Sequence, residues 1–237
     1  MKIFLMYYDR FKEATTSLEL GKHKEKHIVL CHNNSDKFTC ISEYGTLIET
    51  KEPKGIQNNF NYALNSIKNG EWAIFMSDDY IRSKKYDKGQ FVTASIDYVL
   101  NELKKTIELA DKAGVKLVGL NSTGNAFYAK SKYGKFGLVD GRTYAIKKTN
   151  FKFHPDICTA TDYYATAYHL KKYGGSLVNN HVFMEYARYS EKGIGTIEQR
   201  ASQKIKDVAL LKQLFPNNIE IKSKSGQPAG SHCVVKK

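Results

Sequence analysis

The chain is poor in proline, cysteine and acidic residues, and it lacks any long apolar run. It has four prolines and four cysteines among 237 residues. The cysteines stand singly, without the CxxC pairs or Cys/His spacing that zinc sites need, so we expect reduced thiols in a cytoplasmic protein. No run approaches the roughly 18 apolar residues that a membrane-spanning helix needs. The short apolar start, Ile3 to Tyr8, predicts a first strand rather than a signal peptide.

Acidic residues are clearly outnumbered by basic ones. The 37 Lys and Arg against 24 Asp and Glu give a formal net charge of +13, and basic residues are spread along the whole chain. Such a surface suits a polyanion, because each cation set against a phosphate releases condensed counterions. Nucleic acid is therefore the leading macromolecular partner. A merely soluble basic surface, or attraction to anionic lipid headgroups, is the alternative.

Apolar runs with strand character alternate with helical patterns, which favours an α/β fold. We predict a single domain over residues 1–216, with a mixed, mostly parallel central sheet flanked by helices, and a loosely held, basic polar tail over 217–237. The predicted helices are Asn59 to Lys68, Thr93 to Ala113, Ala160 to Tyr173 and Thr196 to Phe215. The predicted strands are Lys2 to Tyr8, His27 to Cys31, Phe38 to Ile41, Trp72 to Met76, Val115 to Leu120, Leu138 to Ile146 and Ser176 to Glu185.

The most informative segment is the apolar strand Trp72 to Met76, which ends in Ser77-Asp78-Asp79. Open α/β sheets bind ligands at the carboxyl ends of their strands. Adjacent carboxylates repel each other, and a divalent cation such as Mg²⁺ or Mn²⁺ bridging a diphosphate would compensate them. The alternative is that these acids belong to an ordinary loop or helix cap.

Several segments in a fixed order extend this pattern. Met76 to Tyr80 is followed by Asp140 to Ile146, then by Thr161-Asp162-Tyr163-Tyr164, and finally by Asn180-His181. In this order the chain resembles glycosyltransferases of the GT-A (Rossmann-like) fold over residues 1 to 200. The resemblance implies a nucleotide-binding half over about 1–80 and an acceptor half over 81–216.

The resemblance also implies roles for individual acids. Asp79 and His181 would hold the metal, and Asp78 would contact the ribose or a metal-bound water. Asp162 would be the catalytic base that takes a proton from the acceptor hydroxyl. Members of the family usually have Glu-Asp where this chain has Thr161-Asp162, and the alternative role for Asp162 is an ordinary acid at a helix N-terminus.

The nucleotide-sugar would lie at the end of the first strand. Tyr8 is expected to stack on the base and Arg10 to contact the base or phosphate, with Lys54 and Asn59 beside the same pocket. Many relatives place an arginine near position 59, and this chain has none there. Lys192, in a Gly-x-Gly loop before a helix, is the expected replacement.

The acceptor half contains the long connection Asn121 to Phe136, where aromatic residues alternate with lysines. Such interleaving suits a groove that stacks exposed bases and follows a phosphate backbone. Together with the net charge it favours DNA, and the motif set is similar to that of bacteriophage and kinetoplastid enzymes that glycosylate hydroxymethylated pyrimidines. A transferase acting on a polysaccharide, lipid or protein, and a non-catalytic nucleic-acid-binding domain, remain alternatives. The expected acceptor or DNA contacts are Tyr128, Lys130, Lys132, Tyr133, Lys135 and Arg142.

Overall fold

The computed structural model describes residues 1–7, 14–31, 41–50, 55–187, 196–226 and 228–236. Eight strands form one sheet in the order β3-β2-β1-β4-β9-β7-β10-β8. Six of them run parallel, whereas β9 and β8 run in the opposite direction. The strands are β1 (Lys2–Met6), β2 (His27–Cys31), β3 (Gly45–Glu49), β4 (Trp72–Ser77), β7 (Leu117–Leu120), β8 (Tyr133–Lys135), β9 (Thr143–Lys147) and β10 (Leu177–Asn179).

A smaller antiparallel sheet, in the order β11-β5-β6, extends from the end of β4. Its strands are β5 (Tyr80–Asp87), β6 (Gln90–Ala94) and β11 (Val182–Tyr186). Five helices are described: α1 (Thr15–Lys22), α2 (Ile56–Asn65), α3 (Ile96–Lys112), α4 (Thr161–Tyr173) and α5 (Ile197–Leu214).

The hydrophobic core lies in two layers, one on each face of the main sheet. Alternation along β4 illustrates this: Ala73 and Phe75 join the cluster beneath α2, α4 and α5, whereas Ile74 and Met76 join the cluster beneath α1 and α3. A strand that is buried on both faces reads as a continuous apolar run, which is why β4 was recognisable from the sequence. The predicted α/β fold with a mixed, mostly parallel sheet and flanking helices is confirmed.

Local signals placed several elements well. Helix α3 begins after Ser95, whose side chain accepts the Tyr98 N–H, and α5 begins with a capping box of Thr196 and Gln199. Helix α2 was predicted three residues late at each end, because its first turn, which begins at Ile56, is polar. Helix α1 and strands β3, β5, β6 and β8 were not predicted.

Two predicted strands were too long, and the tail differs from expectation. The run Leu138 to Ile146 is a strand only from Thr143, because a turn occupies residues 140–142. The run Ser176 to Glu185 divides into β10 and β11, which belong to different sheets. The predicted strand Phe38 to Ile41 lies almost wholly outside the described residues. The predicted loosely held tail instead forms an antiparallel pair of strands, β12 (Ile219–Ile221) and β13 (Cys233–Val235). Apolar side chains of this pair lie in the core.

Candidate functional site

The acidic pair stands where strand β4 ends and strand β5 begins. The Asp78 side chain is buried and that of Asp79 is partly buried. Ser77 Oγ donates a hydrogen bond of 2.6 Å to Asp79 Oδ1. The sequence therefore predicted correctly that a buried strand delivers these acids to the carboxyl edge of the sheet.

The N-terminus of α1 fixes the backbone that carries the acidic pair. Thr16 N–H donates to the Asp78 carbonyl at 3.2 Å, and Thr16 Oγ1 donates to the Ser77 carbonyl at 2.6 Å. Thr15 Oγ1 reaches the Tyr80 carbonyl at 2.9 Å. Sequence reasoning missed this contribution, although two threonines ahead of a short apolar pattern are a signal for a helix start.

Arg142 lies beside the acidic pair. Its Nε donates a hydrogen bond of 2.7 Å to Asp140 Oδ1, and its Nη2 donates one of 2.5 Å to Asp140 Oδ2. Nη2 also donates to the Ser122 carbonyl at 2.8 Å. The Arg142 carbonyl accepts from the Ser77 N–H at 2.8 Å, which ties the 140–142 turn to the end of β4. The Asp140 carboxylate raises the pKa of the Arg142 guanidinium, and Asp79 adds to this in the same direction. The turn at residues 140–142 therefore folds Arg142 back onto Asp140, next to the end of β4.

A buried tyrosine closes the same site from the smaller sheet. Tyr186 shares a 2.5 Å hydrogen bond with Thr143 Oγ1, and the next residue, Ala187, donates its N–H to the Asp79 carbonyl at 3.0 Å. Burial raises the pKa of Tyr186, and the nearby Asp79 carboxylate raises it further. Tyr186 therefore remains a neutral hydrogen-bonding group.

Asp162 lies in the first turn of α4, packed against the turn that carries Asp140 and Arg142. A Cβ built on Gly141 would lie 3.2 Å from the Asp162 Cβ, so a side chain at position 141 would crowd Asp162. Burial raises the pKa of Asp162 to about 6, with Lys204 lowering it and Asp140 raising it. A carboxylate with such a pKa is ionised at neutral pH and is still basic enough to accept a proton.

Helix α5 holds the start of α4 in place. The N-cap residue of α4, Ala160, has no capping side chain, and the buried carboxylate of Asp207 takes over this task. Asp207 Oδ2 accepts from the N–H groups of Cys158, Thr159 and Ala160 at 3.1, 2.5 and 3.0 Å. Its Oδ1 accepts from Gln203 at 2.7 Å. Sequence reasoning missed Asp207, although an acid on the apolar face of a helix is a signal for such a role.

The structure separates His181 from Asp79. The His181 carbonyl accepts from the Tyr86 N–H at one end of the β5–β11 pair, whereas Asp79 bonds to Ala187 at the other end. Six residues along a strand correspond to about 20 Å. His181 Nε2 instead lies 3.0 Å from the Ala129 carbonyl. The pairing of His181 with Asp79 in one metal site is therefore wrong, because β11 runs away from the acidic pair.

The aromatic part of the predicted acceptor segment is exposed. Phe127 and Tyr128 have 65% and 59% of their surface accessible, and their rings meet edge to face at 5.2 Å. Lys130 Nζ lies 4.8 Å from the Phe127 ring centroid. These three side chains form an exposed aromatic and basic patch.

The remaining lysines of the segment differ in their partners. Lys132 forms an ion pair of 2.8 Å with the buried Glu102, which also pairs with Lys105. Lys135 is exposed at the edge of the sheet, and Tyr133 lies beside the Lys132 ammonium. Lys132 therefore stabilises a buried carboxylate instead of presenting a freely available charge.

Most residues expected at the nucleotide lie outside the described part of the chain. Asn59 is described and buried, and its Oδ1 accepts a 2.5 Å hydrogen bond from Thr50 Oγ1. It therefore links α2 to the residue that follows β3. The residues outside the description are Tyr8, Arg10, Lys54 and Lys192.

The arrangement suits polar chemistry on a ligand bound at the sheet edge. Three acids and one arginine come together from three segments of the chain, namely Asp79, the turn of Asp140 and Arg142, and Asp162. Among the residues that the structure describes, no group of three His, Cys, Asp or Glu side chains is arranged to hold a metal ion. The described helices include none long and apolar enough to cross a membrane.

Comparison with known proteins gives a limited result. No protein-family model matches the chain, and no curated protein matches it. One similar solved structure is titled "Crystal Structure of A197 from STIV", with 11% identity and a TM-score of 0.46, covering 80% of this chain and 87% of that chain. Another is CMP:2-keto-3-deoxy-manno-octonic acid synthetase complexed with CTP, with 10% identity and a TM-score of 0.39, covering 90% of this chain and 100% of that chain. Similarity at this level is too weak to support an argument about activity.

Proposed function

We propose that this chain is a metal-dependent glycosyltransferase of the GT-A type, which moves a sugar from a UDP-sugar to a hydroxyl acceptor. The observation that carries the proposal is the convergence of Asp79, the Asp140–Arg142 pair and Asp162 at the carboxyl edge of a mostly parallel sheet. Ligands bind at this edge in open α/β sheets. Such a transfer needs one group that binds the diphosphate through a metal ion and another that removes a proton. Asp79 at the end of β4 suits the first task, and Asp162, whose pKa is raised, suits the second.

Asp162 is the proposed catalytic base. Its carboxylate would take the proton from the acceptor hydroxyl as that oxygen bonds to the anomeric carbon, and the bond from that carbon to the UDP oxygen would break. The pKa of about 6 supports this role, because the carboxylate is ionised at neutral pH. Arg142 holds Asp140 in one orientation and keeps a fixed positive charge at the same edge.

Asp79 is the proposed ligand of Mg²⁺ or Mn²⁺. The donor chemistry fits, because Mg²⁺ is held through one or two carboxylates together with substrate phosphates and water. When bound, the ion would neutralise charge on the departing diphosphate. Ser77 would orient the Asp79 carboxylate through their 2.6 Å hydrogen bond.

The proposed acceptor is the hydroxyl of a 5-hydroxymethylpyrimidine in DNA, either hydroxymethylcytosine or hydroxymethyluracil. The net charge of +13 and the patch of Phe127, Tyr128 and Lys130 support this choice. A protein with a DNA acceptor would act in the cytoplasm, or in the host cytoplasm if it comes from a bacteriophage.

The first test is calorimetric titration of UDP with and without Mn²⁺. The wild type and Asp87→Asn, a control at the exposed end of β5, should bind UDP in a metal-dependent manner. Asp79→Asn should lose the metal-dependent part. If Asp79→Asn binds UDP as the wild type does, the assigned sugar-nucleotide site is wrong.

The acceptor is tested separately by mass spectrometry. A hydroxymethylated duplex should gain the mass of one sugar when incubated with a UDP-sugar and Mn²⁺, and an unmodified duplex should not. A polysaccharide, lipid or protein acceptor would leave both duplexes unchanged, and salt-sensitive binding to anionic vesicles but not to DNA would favour it. A non-catalytic DNA-binding domain would bind DNA equally well after Asp79→Asn.

A further inference from the structure

A pocket of about 320 Å³ opens at the carboxyl ends of β7 and β10. It lies next to the group of Asp79, Asp140, Arg142 and Asp162, which we call the acid cluster. Its walls come from Leu120, Leu138 and Val178, and Tyr128 stands at its mouth. A pocket this size lies at the lower end of the range for small-molecule sites, about 300 to 1,000 Å³. It has room for one ring and not for an extended chain of rings.

Two glycines keep this pocket open. A Cβ on Gly134 would lie 3.1 Å from Asn180 Nδ2, and a Cβ on Gly137 would lie 3.1 Å from Val178 Cγ2. Neither glycine has a positive φ angle, so the backbone itself does not require glycine at these positions. The absence of two side chains therefore determines the free space.

The polar groups of the pocket are rigidly held. Asn121 Oδ1 accepts from the N–H groups of Thr123 and Gly124 at 3.0 and 2.9 Å, and its Nδ2 donates to the Asn180 carbonyl at 3.1 Å. Asn180 Nδ2 in turn donates to the Ser131 carbonyl. None of the described residues lining the pocket carries a charge. Apolar walls with a fixed amide rim suit an uncharged ring with polar substituents on its edge.

The pocket adjoins the acid cluster. Leu120 and Asn121 line both the pocket and the narrow space around Asp140 and Arg142. The Ser122 carbonyl, also in the pocket wall, accepts from Arg142 at 2.8 Å. A ring seated here would have one edge directed toward the acids and one face against the Tyr128 ring.

We propose that this pocket binds a single uncharged ring of the acceptor, stacked on Tyr128, with the reacting hydroxyl on the edge that faces Arg142 and Asp140. This assignment rests on the proposed transferase function. The ring is either a nucleobase or a sugar, since both have an apolar face and a polar edge. Phosphates next to a nucleobase would lie near Lys130 and Lys135, both exposed outside the mouth.

The test uses amide chemical shifts with two probes, the nucleoside 5-hydroxymethyl-2′-deoxycytidine and methyl β-D-glucopyranoside. At least one probe should give saturable shifts at the amides of Ser122, Gly134 and Gly137. Nucleoside binding alone would identify a base pocket, and glycoside binding alone would identify a sugar pocket. If neither probe shifts these amides up to its solubility limit, the proposal is overturned.

Three variants sharpen the result. Tyr128→Ala should weaken binding of the active probe about fivefold or more, since stacking on an aromatic ring contributes about 1 to 3 kcal/mol. Gly137→Ala should weaken it by filling the pocket, with Gly134→Ala as a second filling variant in case the first perturbs folding. Tyr62→Ala removes an exposed tyrosine from α2 and should have no effect. Equal binding by Tyr128→Ala and both filling variants would also overturn the proposal.

Metal-dependent UDP binding, measured on the same samples, separates this inference from the proposed function. UDP should bind the pocket variants as it binds the wild type. Ring binding without UDP binding would support the acceptor pocket and contradict the proposed transferase function. UDP binding without ring binding would support the transferase function and contradict the pocket proposal.

Discussion

Substitution of Asp207 tests quantitatively whether this residue holds the first turn of α4, which carries the proposed base Asp162. Its buried carboxylate accepts hydrogen bonds from three consecutive backbone N–H groups before α4, from Thr159 Oγ1 at 2.7 Å and from Gln203. In Asp207→Ala these buried donors lose their acceptor. The first turn of α4, which carries Asp162, should then fray.

The expected loss of stability follows from these contacts. A buried donor left without a partner costs about 1 to 3 kcal/mol, and removal of a helix cap typically costs about 1 kcal/mol. The donors share one acceptor and their costs do not add fully, so we expect a total of about 3 to 4 kcal/mol for Asp207→Ala. Asp207→Asn should lose only about 1 to 2 kcal/mol, because its amide oxygen can still accept from the backbone.

The assay is urea unfolding at 25 °C and neutral pH, followed by circular dichroism. Asp207→Ala should lower the transition midpoint at unchanged slope, and its Tm should fall by about 10 °C. Asp156→Ala, a change at an acid in the same loop with 76% of its side chain exposed, is the control and should cost less than about 0.5 kcal/mol. If Asp207→Ala is as stable as this control, Asp207 does not cap α4 as described.

Three further outcomes are expected. Because burial raises the pKa of Asp162 to about 6, the ionised carboxylate reduces the stability of the native state above that pH, and this cost disappears as the carboxylate is protonated below it. In urea unfolding, Asp162→Asn should therefore be more stable than the wild type by about 1 to 2 kcal/mol at pH 7.5 and nearly as stable as the wild type at pH 4. An equal difference at both pH values would contradict this. Because Lys204 lowers the pKa of Asp162, Lys204→Met should move the acidic limb of the transfer rate up by about 0.5 to 1 pH unit, whereas the exposed Lys206→Met should leave it in place. Arg142→Lys loses the bidentate contact with Asp140 and should weaken metal-dependent UDP binding several-fold, whereas Arg82→Lys, at an exposed arginine, should not. If calorimetry gives equal UDP affinities for Arg142→Lys and the wild type, the bidentate contact plays no part in UDP binding.

Local patterns account for the elements that the sequence predicted well. Strand β2 and helix α3 have the expected apolar periods, and the capping box of Thr196 and Gln199 defines the start of α5. These features depend on residues within a few positions of each other. The small sheet was harder to predict, because β5 and β6 are half-exposed and β5 carries four charged residues.

The candidate site was only partly predictable for the same reason. That Asp78 and Asp79 end a buried strand is visible in the sequence, since a single apolar run reaches them. That Arg142 lies beside them, and that His181 does not, depends on how distant segments meet. The pairing of Arg142 with Asp140 was not predicted, because a basic residue in a loop has no sequence signal that tells a surface contact from an internal ion pair.

The sequence by itself determined an α/β chain with a strongly basic surface and a central strand that ends in two acids, because periodicity, charge and strand termination are local properties. Only the tertiary structure decided the reversed direction of β9, the placement of Arg142 and Asp162 at one edge, the capping of α4 by Asp207 and the pocket beneath Tyr128. Asp207 and Thr159 are 48 positions apart in the chain. Such contacts form only when whole elements pack, and the pattern of any one element does not contain them.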